Sequence, residues 1–166
     1  NLIISTFLAV VGCLITCTRQ QNCPYVKHVF AVDKNLVADH SLHNHVIATL
    51  TVSGAVECYN NCRMNCQCNS LNFWSTKNEK NCELNKENKF LKPYDLHPDL
   101  GAQYYDLHVI YSVKGVPCSE CQNGCCKSAP CFAKYTDRCE ELCDVKGKRF
   151  RCVCRSGYTG DLCQTP

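Results

Sequence analysis

Apolar positions in this chain fall into short runs rich in β-branched and aromatic residues, separated by polar segments. Val26 to Val32, Val46 to Val52, Leu71 to Trp74 and Tyr104 to Val113 each suit a strand. From Ala55 the order A-V-E-C-Y-N-N-C-R-M-N-C carries no Pro or Gly and predicts a helix. Ser53 is its expected N-cap, and Glu57 in the first turns suits the helix dipole. On such a helix Cys58 and Cys62, at i and i+4, share one face. Opposite Cys68 and Cys82, they would fasten the helix to a sheet at two points. The expected architecture is therefore a small α+β unit, an antiparallel sheet with one stapled helix.

A different pattern opens the chain. Leu2 to Ile15 is uncharged and mostly apolar, too short for the about 20 residues of a bilayer span, and fits the apolar core of a secretory signal. Cleavage is expected near Cys17-Thr18, making residues 1–17 the signal and removing Cys13 and Cys17. Of the 18 cysteines in the 166 residues, sixteen would remain, an even count that permits complete pairing. So many cysteines read as a disulfide framework, which persists only in an oxidising compartment, so the protein is expected to be secreted and extracellular. Past the signal no further apolar stretch is long enough to cross a membrane, and no membrane insertion is expected after cleavage. Cysteine spacing changes character near Val116, which divides the mature chain into two small domains.

The later domain carries the more specific pattern. Cys131, Cys139, Cys143, Cys152, Cys154 and Cys163 form the ladder C-x7-C-x3-C-x8-C-x-C-x8-C, with Gly157-Tyr158-Thr159-Gly160 in the last loop. This spacing resembles the epidermal-growth-factor-like (EGF-like) module, a disulfide-held β-hairpin, here over residues 129–166. The resemblance implies bridges Cys131 to Cys143, Cys139 to Cys152 and Cys154 to Cys163. A segment this short buries too little apolar surface to fold without such cross-links.

In the earlier domain, residues 18–111, four motifs recur together: Leu42-x-x-His45-Val46, Glu57-Cys58-x3-Cys62, Cys68-x-Ser70-x-Asn72-Phe73 and Cys82-Glu83-Leu84-Asn85. They resemble the PAN/apple domain in the form that precedes an EGF-like module. That resemblance implies bridges Cys58 to Cys82 and Cys62 to Cys68. Cys23 and Cys66 stand outside this core. They either pair with each other, or Cys23 reaches Cys118 and leaves Cys66 for a neighbour.

Residues 112–128 form a cysteine-rich joint. Cys118-x2-Cys121-x3-Cys125-Cys126 contains a pair spaced like half of a zinc site. The oxidising compartment and the adjacency of Cys125 and Cys126 favour a disulfide knot that stiffens the passage between domains. His43 and His45, two apart on one strand face near His40 and Asp39, are better read as a surface pair than as metal ligands. No catalytic motif frames any Ser, His or Asp, and neither a catalytic residue, a metal nor a cofactor is expected. Calcium is disfavoured in the EGF-like module because Lys127-Ser128-Ala129-Pro130 precedes Cys131 without a carboxylate, and Val145 falls where the family carries Asp or Asn. No N-x-S/T sequon occurs.

Charge adds one clue. Across 127–163 there are eight Lys/Arg against five Asp/Glu, the whole of the chain's net +3. Lys146, Lys148, Arg149 and Arg151 concentrate that excess and are candidate contacts for a sulfated glycan or acidic partner, with an ordinary solvated hairpin as the favoured reading. Trp74, Tyr104 and Tyr105 are candidate stacking aromatics, with core packing as their favoured fate. The segment Lys77 to Lys92, alternating Lys, Glu and Asn, reads as a solvated hairpin and loop. Both resemblances imply a secreted, non-enzymatic recognition or adhesion protein whose partner is an extracellular protein or glycan, with no role for nucleic acid. Two rival classes are a non-catalytic fragment of a larger extracellular protein or receptor, and a secreted EGF-like signalling ligand or toxin-like effector. Leu162 stands directly before Cys163, where receptor agonists of the EGF family carry Arg, which disfavours the signalling role.

Overall fold

The computed structural model describes residues 25–28, 36–112, 123–144 and 146–166. The expected signal, Cys13, Cys17, Cys23, Cys118 and Cys121 lie outside these residues. Strand β1 (Tyr25–His28) pairs antiparallel with β7 (Val109–Ser112) in a two-stranded ladder. The main sheet has the order β2-β6-β4-β5-β3 and is antiparallel throughout. Its strands are β2 (Leu36–Leu42), β3 (Val46–Leu50), β4 (Ser70–Trp74), β5 (Cys82–Asn85) and β6 (Leu96–Asp106).

One helix, α1 (Ala55–Met64), packs on this sheet through Cys58, Tyr59 and Cys62, all buried. Cys58 is bonded to Cys82 on β5, and Cys62 to Cys68 just before β4. The sulfurs sit inside the core cluster with Leu71, Phe73, Leu84 and Tyr105, so the staples and the apolar interior are one object. The N-cap of the helix is Gly54 rather than Ser53. Glu57 instead reaches back to accept hydrogen bonds from the Ser53 backbone N–H at 2.8 Å and its hydroxyl at 2.6 Å. Those bonds hold the Glu57 carboxyl below its ordinary range.

The segment expected as a solvated hairpin and loop is exposed at Lys77 to Lys80, Lys86 and Phe90 to Lys92, but most of its asparagines and one glutamate turn inward. Asn81, Asn85, Glu87 and Asn88 are buried, and β5 lies between β4 and β3. Asparagine takes this role because its amide copies a peptide group. Asn81 accepts from the Val52 N–H and donates to the Val52 carbonyl, both at 2.8 Å. Fully buried Asn72 does the same for Leu42, at 2.9 and 3.0 Å. Each side chain thus satisfies a backbone pair where no strand is present to do so.

The later part of the chain is built on the hairpin β8 (Thr136–Glu141) and β9 (Phe150–Cys154). Its disulfides are Cys126–Cys139, Cys131–Cys152 and Cys154–Cys163. The expected Cys131–Cys143 and Cys139–Cys152 bridges are therefore corrected. Cys139 and Cys152 stand directly opposite on the two strands, and each bonds to a cysteine of the preceding segment instead of to the other. Cys143 lies past the end of β8 and is disulfide-bonded elsewhere. First-to-third, second-to-fourth and fifth-to-sixth pairing is present, but its first member is Cys126 and the spacing becomes C-x4-C-x7-C-x12-C-x-C-x8-C. The last loop turns at Gly157 and Gly160, with φ of 87° and 94° that side chains disfavour. Between them Tyr158 stacks on Tyr135 at 4.0 Å.

Adjacent Cys125 and Cys126 send their bonds in opposite directions. Cys126 enters the hairpin unit, while Cys125 bonds to Cys66, just beyond α1. This excludes the Cys23–Cys66 pair and replaces a knot confined to the joint with a cross-link between the two units.

Non-reducing peptide mapping is expected to recover Cys66–Cys125, Cys126–Cys139 and Cys131–Cys152. The double variant C66A/C125A should keep the other bridges and lose about 2–4 kcal/mol in denaturant unfolding. Recovery of Cys131 joined to Cys143 would overturn the assignment.

Candidate functional site

The chemistry of this chain gathers where the two units meet. The helix ends at Asn65, whose backbone N–H closes the Asn61 and Cys62 carbonyls and leaves the Arg63 carbonyl without an intrahelical partner. Arg149, at the entry to β9, is only 3% exposed and points its guanidinium at that end. It donates to the carbonyls of Arg63 and Cys68 at 3.0 Å, of Cys62 at 3.4 Å and of Asn65. A cation at the negative end of the helix dipole, held by charge-assisted bonds from both terminal guanidinium nitrogens, is favourably placed there. Asn123 steadies the base of this arm by donating to the carbonyls of Leu142 and Arg149.

Around this clamp lie further cross-unit contacts. Asn88 donates to the Lys146 carbonyl at 2.9 Å. Lys148 is placed 3.4 Å from buried Glu87 and 2.8 Å from Asp161, whose other oxygen is 3.9 Å from Lys86. Burial pulls the Lys148 ammonium down, but Asp161 and Glu87 outweigh it and hold the group above its usual 10.5. The Lys148 hydrogen bond in turn holds the Asp161 carboxyl below 3.8. Beside these residues a cleft of about 420 Å³ opens between the units. Its lining includes the apolar Leu142, Phe150 and Leu162 and the charged Lys86, Lys148, Arg151 and Asp161.

The sequence-derived basic candidates therefore divide. Arg149 is structural, Arg151 is paired with Glu140, and Lys148 is held by two carboxylates. Lys146 remains exposed, its ammonium 4.9 Å from the Phe90 ring. The cluster is thus neither a free cationic surface nor a plainly solvated hairpin. Among the aromatics the core-packing reading holds, since Tyr104 and Tyr105 are 0% and 2% exposed. Tyr104 donates to Asp106 at 2.5 Å and accepts from the Lys89 N–H, and burial pushes its phenol far above its usual range. Trp74 is 5% exposed with the Lys77 ammonium 3.4 Å from its ring centre.

His40, His43 and His45 each take a separate partner, and His43 lies 4.9 Å from the His97 ring. His45 meets Asp95 at 2.7 Å, while Asp39 accepts from the Gly101 N–H. His43 and Ser41 lie 2.9 Å apart, and Ser41 donates its hydroxyl proton to Asp99. With that proton committed to a carboxylate, His43 faces the oxygen as a donor, the reverse of what a hydroxyl nucleophile requires. Among the described residues no group of three or more His, Cys, Asp or Glu is arranged to hold a metal. Nor is any described helix long and apolar enough to cross a membrane.

Comparison with known families finds a match to the PAN domain over residues 33–109. The span contains the five-stranded sheet, α1 and both staples, and the disulfide-rich α+β fold, with one α-helix among the described residues, is PAN/apple-like. PAN domains are non-catalytic modules that bind proteins or carbohydrates in extracellular proteins. A search of curated proteins found no match to this chain. The domain and the many disulfides together point to an extracellular setting.

Replacing Arg149 by Met should cost about 3 kcal/mol in unfolding, because the Arg63 and Cys68 carbonyls lose their donor and those of Cys62 and Asn65 keep only a backbone N–H. R149K should recover only part, since a single ammonium cannot span the same acceptors. The Asp161 pairing predicts a pH dependence of known sign. A carboxyl held below 3.8 contributes above that pH and fades as pH falls through its folded value. The stability gap between wild type and D161N, under about 1 kcal/mol for so exposed a pair, should be widest near neutrality and close below about pH 4.

Proposed function

We propose that this chain is a secreted, non-enzymatic recognition protein in which a PAN-type unit and an EGF-like unit act as one rigid binding body for an extracellular protein or carbohydrate. The observation that carries this reading is the PAN match joined to a second unit by a disulfide and a buried guanidinium. Assignment of the second unit as EGF-like is supported by its C-x4-C-x7-C-x12-C-x-C-x8-C spacing and nested pairing. On this reading residues 1–17 are a cleaved signal, the PAN-type unit occupies 18–111, and the EGF-like unit begins at Cys126 rather than residue 129. Residues 112–125 form the joint, with Cys125 as its anchor to the first unit.

Two partners fastened at several points lose little further freedom when a ligand spans them, so less of the contact energy offsets ordering. That favours a ligand touching both units over one confined to either.

An array of extracellular proteins and glycans, probed with oxidised and with reduced protein at two salt concentrations, tests this function. Saturable binding that is lost on reduction and survives about 0.3 M salt is expected of a folded recognition surface. Binding that persists after reduction and vanishes in salt would sink the reading, because it would report only the chain's positive charge.

A further inference from the structure

We infer that the cleft between the two units is a binding site for an acidic saccharide, a pyranose carrying a carboxylate or sulfate group. This deepens the reading above and rests on it. The cleft's about 420 Å³ falls within the roughly 300–1,000 Å³ typical of small-ligand sites. What it offers is uneven in a way that selects among ligands. Leu142, Phe150 and Leu162 supply apolar lining that suits the C–H face of a sugar ring. Lys86 from one unit and Lys148 from the other supply ammonium groups for an anionic substituent. Asp161 stands between these lysines, and the side-chain amides of Gln67 and Gln164 also line the cleft.

Asp161 decides between chemistries. A carboxylate within the wall repels a purely acidic peptide, whose side chains bring anions and no hydroxyls. The same carboxylate accepts hydroxyl protons, as amides both accept and donate, and a sugar brings several hydroxyls beside its single anionic group. Asp161 serves as the lysines' internal counterion, 2.8 Å from Lys148 and 3.9 Å from Lys86, and Glu87 lies 3.4 Å from Lys148. An incoming anion therefore competes with Asp161 at both ammonium groups and with Glu87 at Lys148. Lys86 is 48% and Asp161 53% exposed at the side chain, so either can be changed without touching the core.

The test is titration of the oxidised full chain with a disaccharide of a uronic acid and a sulfated hexosamine. The desulfated, carboxyl-reduced form of that disaccharide, inorganic sulfate and a hexaglutamate peptide serve as comparison probes. The acidic disaccharide should bind saturably, with the neutral form and sulfate each at least about tenfold weaker. K86Q should weaken binding about five- to tenfold, as expected for losing one charge-assisted contact, and K86R should restore most of it. D161N should tighten binding about threefold, since the amide still accepts a hydroxyl but no longer competes as an anion. K127Q and K134Q, which lower the net charge equally at exposed positions away from the cleft, should change affinity less than twofold. Equal losses for K86Q, K127Q and K134Q would overturn the proposal and leave only diffuse attraction. Tighter binding of hexaglutamate than of the disaccharide would overturn it in favour of an acidic peptide. If an array partner is found and its binding is indifferent to K86Q and D161N, the recognition function stands and the cleft assignment falls.

Discussion

A helix of ten residues has too few hydrogen bonds to persist in water, and nearly everything in this protein is arranged around one that must. Two disulfides one turn apart fix its inner face to the sheet, and Tyr59, whose phenol burial pushes up to about 12, fills the gap beside them. Its carbonyl end is closed by a guanidinium that arrives from 81 to 87 residues further along the chain. The outer face stays wet, with Val56 and Met64 exposed, so the helix is held from one side and one end. Without the staples the sheet would lose its cover. Without Arg149 the second unit would lose its main polar grip on the first.

The sheet and helix were legible because their signals are local. Cys58 and Cys62 at helical spacing, the β-rich run at Tyr104 and the apolar stretch at Leu71 each carry their meaning within a few residues. The run expected from Tyr104 to Val113 proved to be two strands in different sheets, parted at Leu107-His108. Strands β2 and β5 escaped notice because their residues do not alternate in the usual way. Asp39, at φ 54°, breaks β2 with a register shift, and β5 is bordered by Lys, Glu and Asn that look solvated. Buried asparagine is hard to foresee from composition, since its value depends on a backbone pair elsewhere that lacks a partner.

The disulfide frame shows a different limit. Six consecutive cysteines fitted the expected ladder, yet the working set skips Cys143 and takes Cys126 instead. Spacing alone could not separate them, since Cys125 and Cys126 are neighbours with the same local sequence. The fold separates them: both pack on the hairpin's Phe150 cluster, but Cys125, 1% exposed, bonds to Cys66, whereas the partly exposed Cys126 bonds to Cys139. The basic cluster was misjudged for a related reason. A lysine or arginine read singly looks solvated, and only the fold reveals that Glu87, Glu140, Asp161 and a helix terminus were waiting for those charges.

The separate destinations of Cys125 and Cys126 bear on how the molecule would meet proteases outside the cell. Residues 113–122 connect the two units in sequence, but Cys66 and Cys125 connect them by a second route that does not pass through that segment. A single nick there would leave both halves attached and the cleft between them in register, with separation requiring a reductant as well as an enzyme.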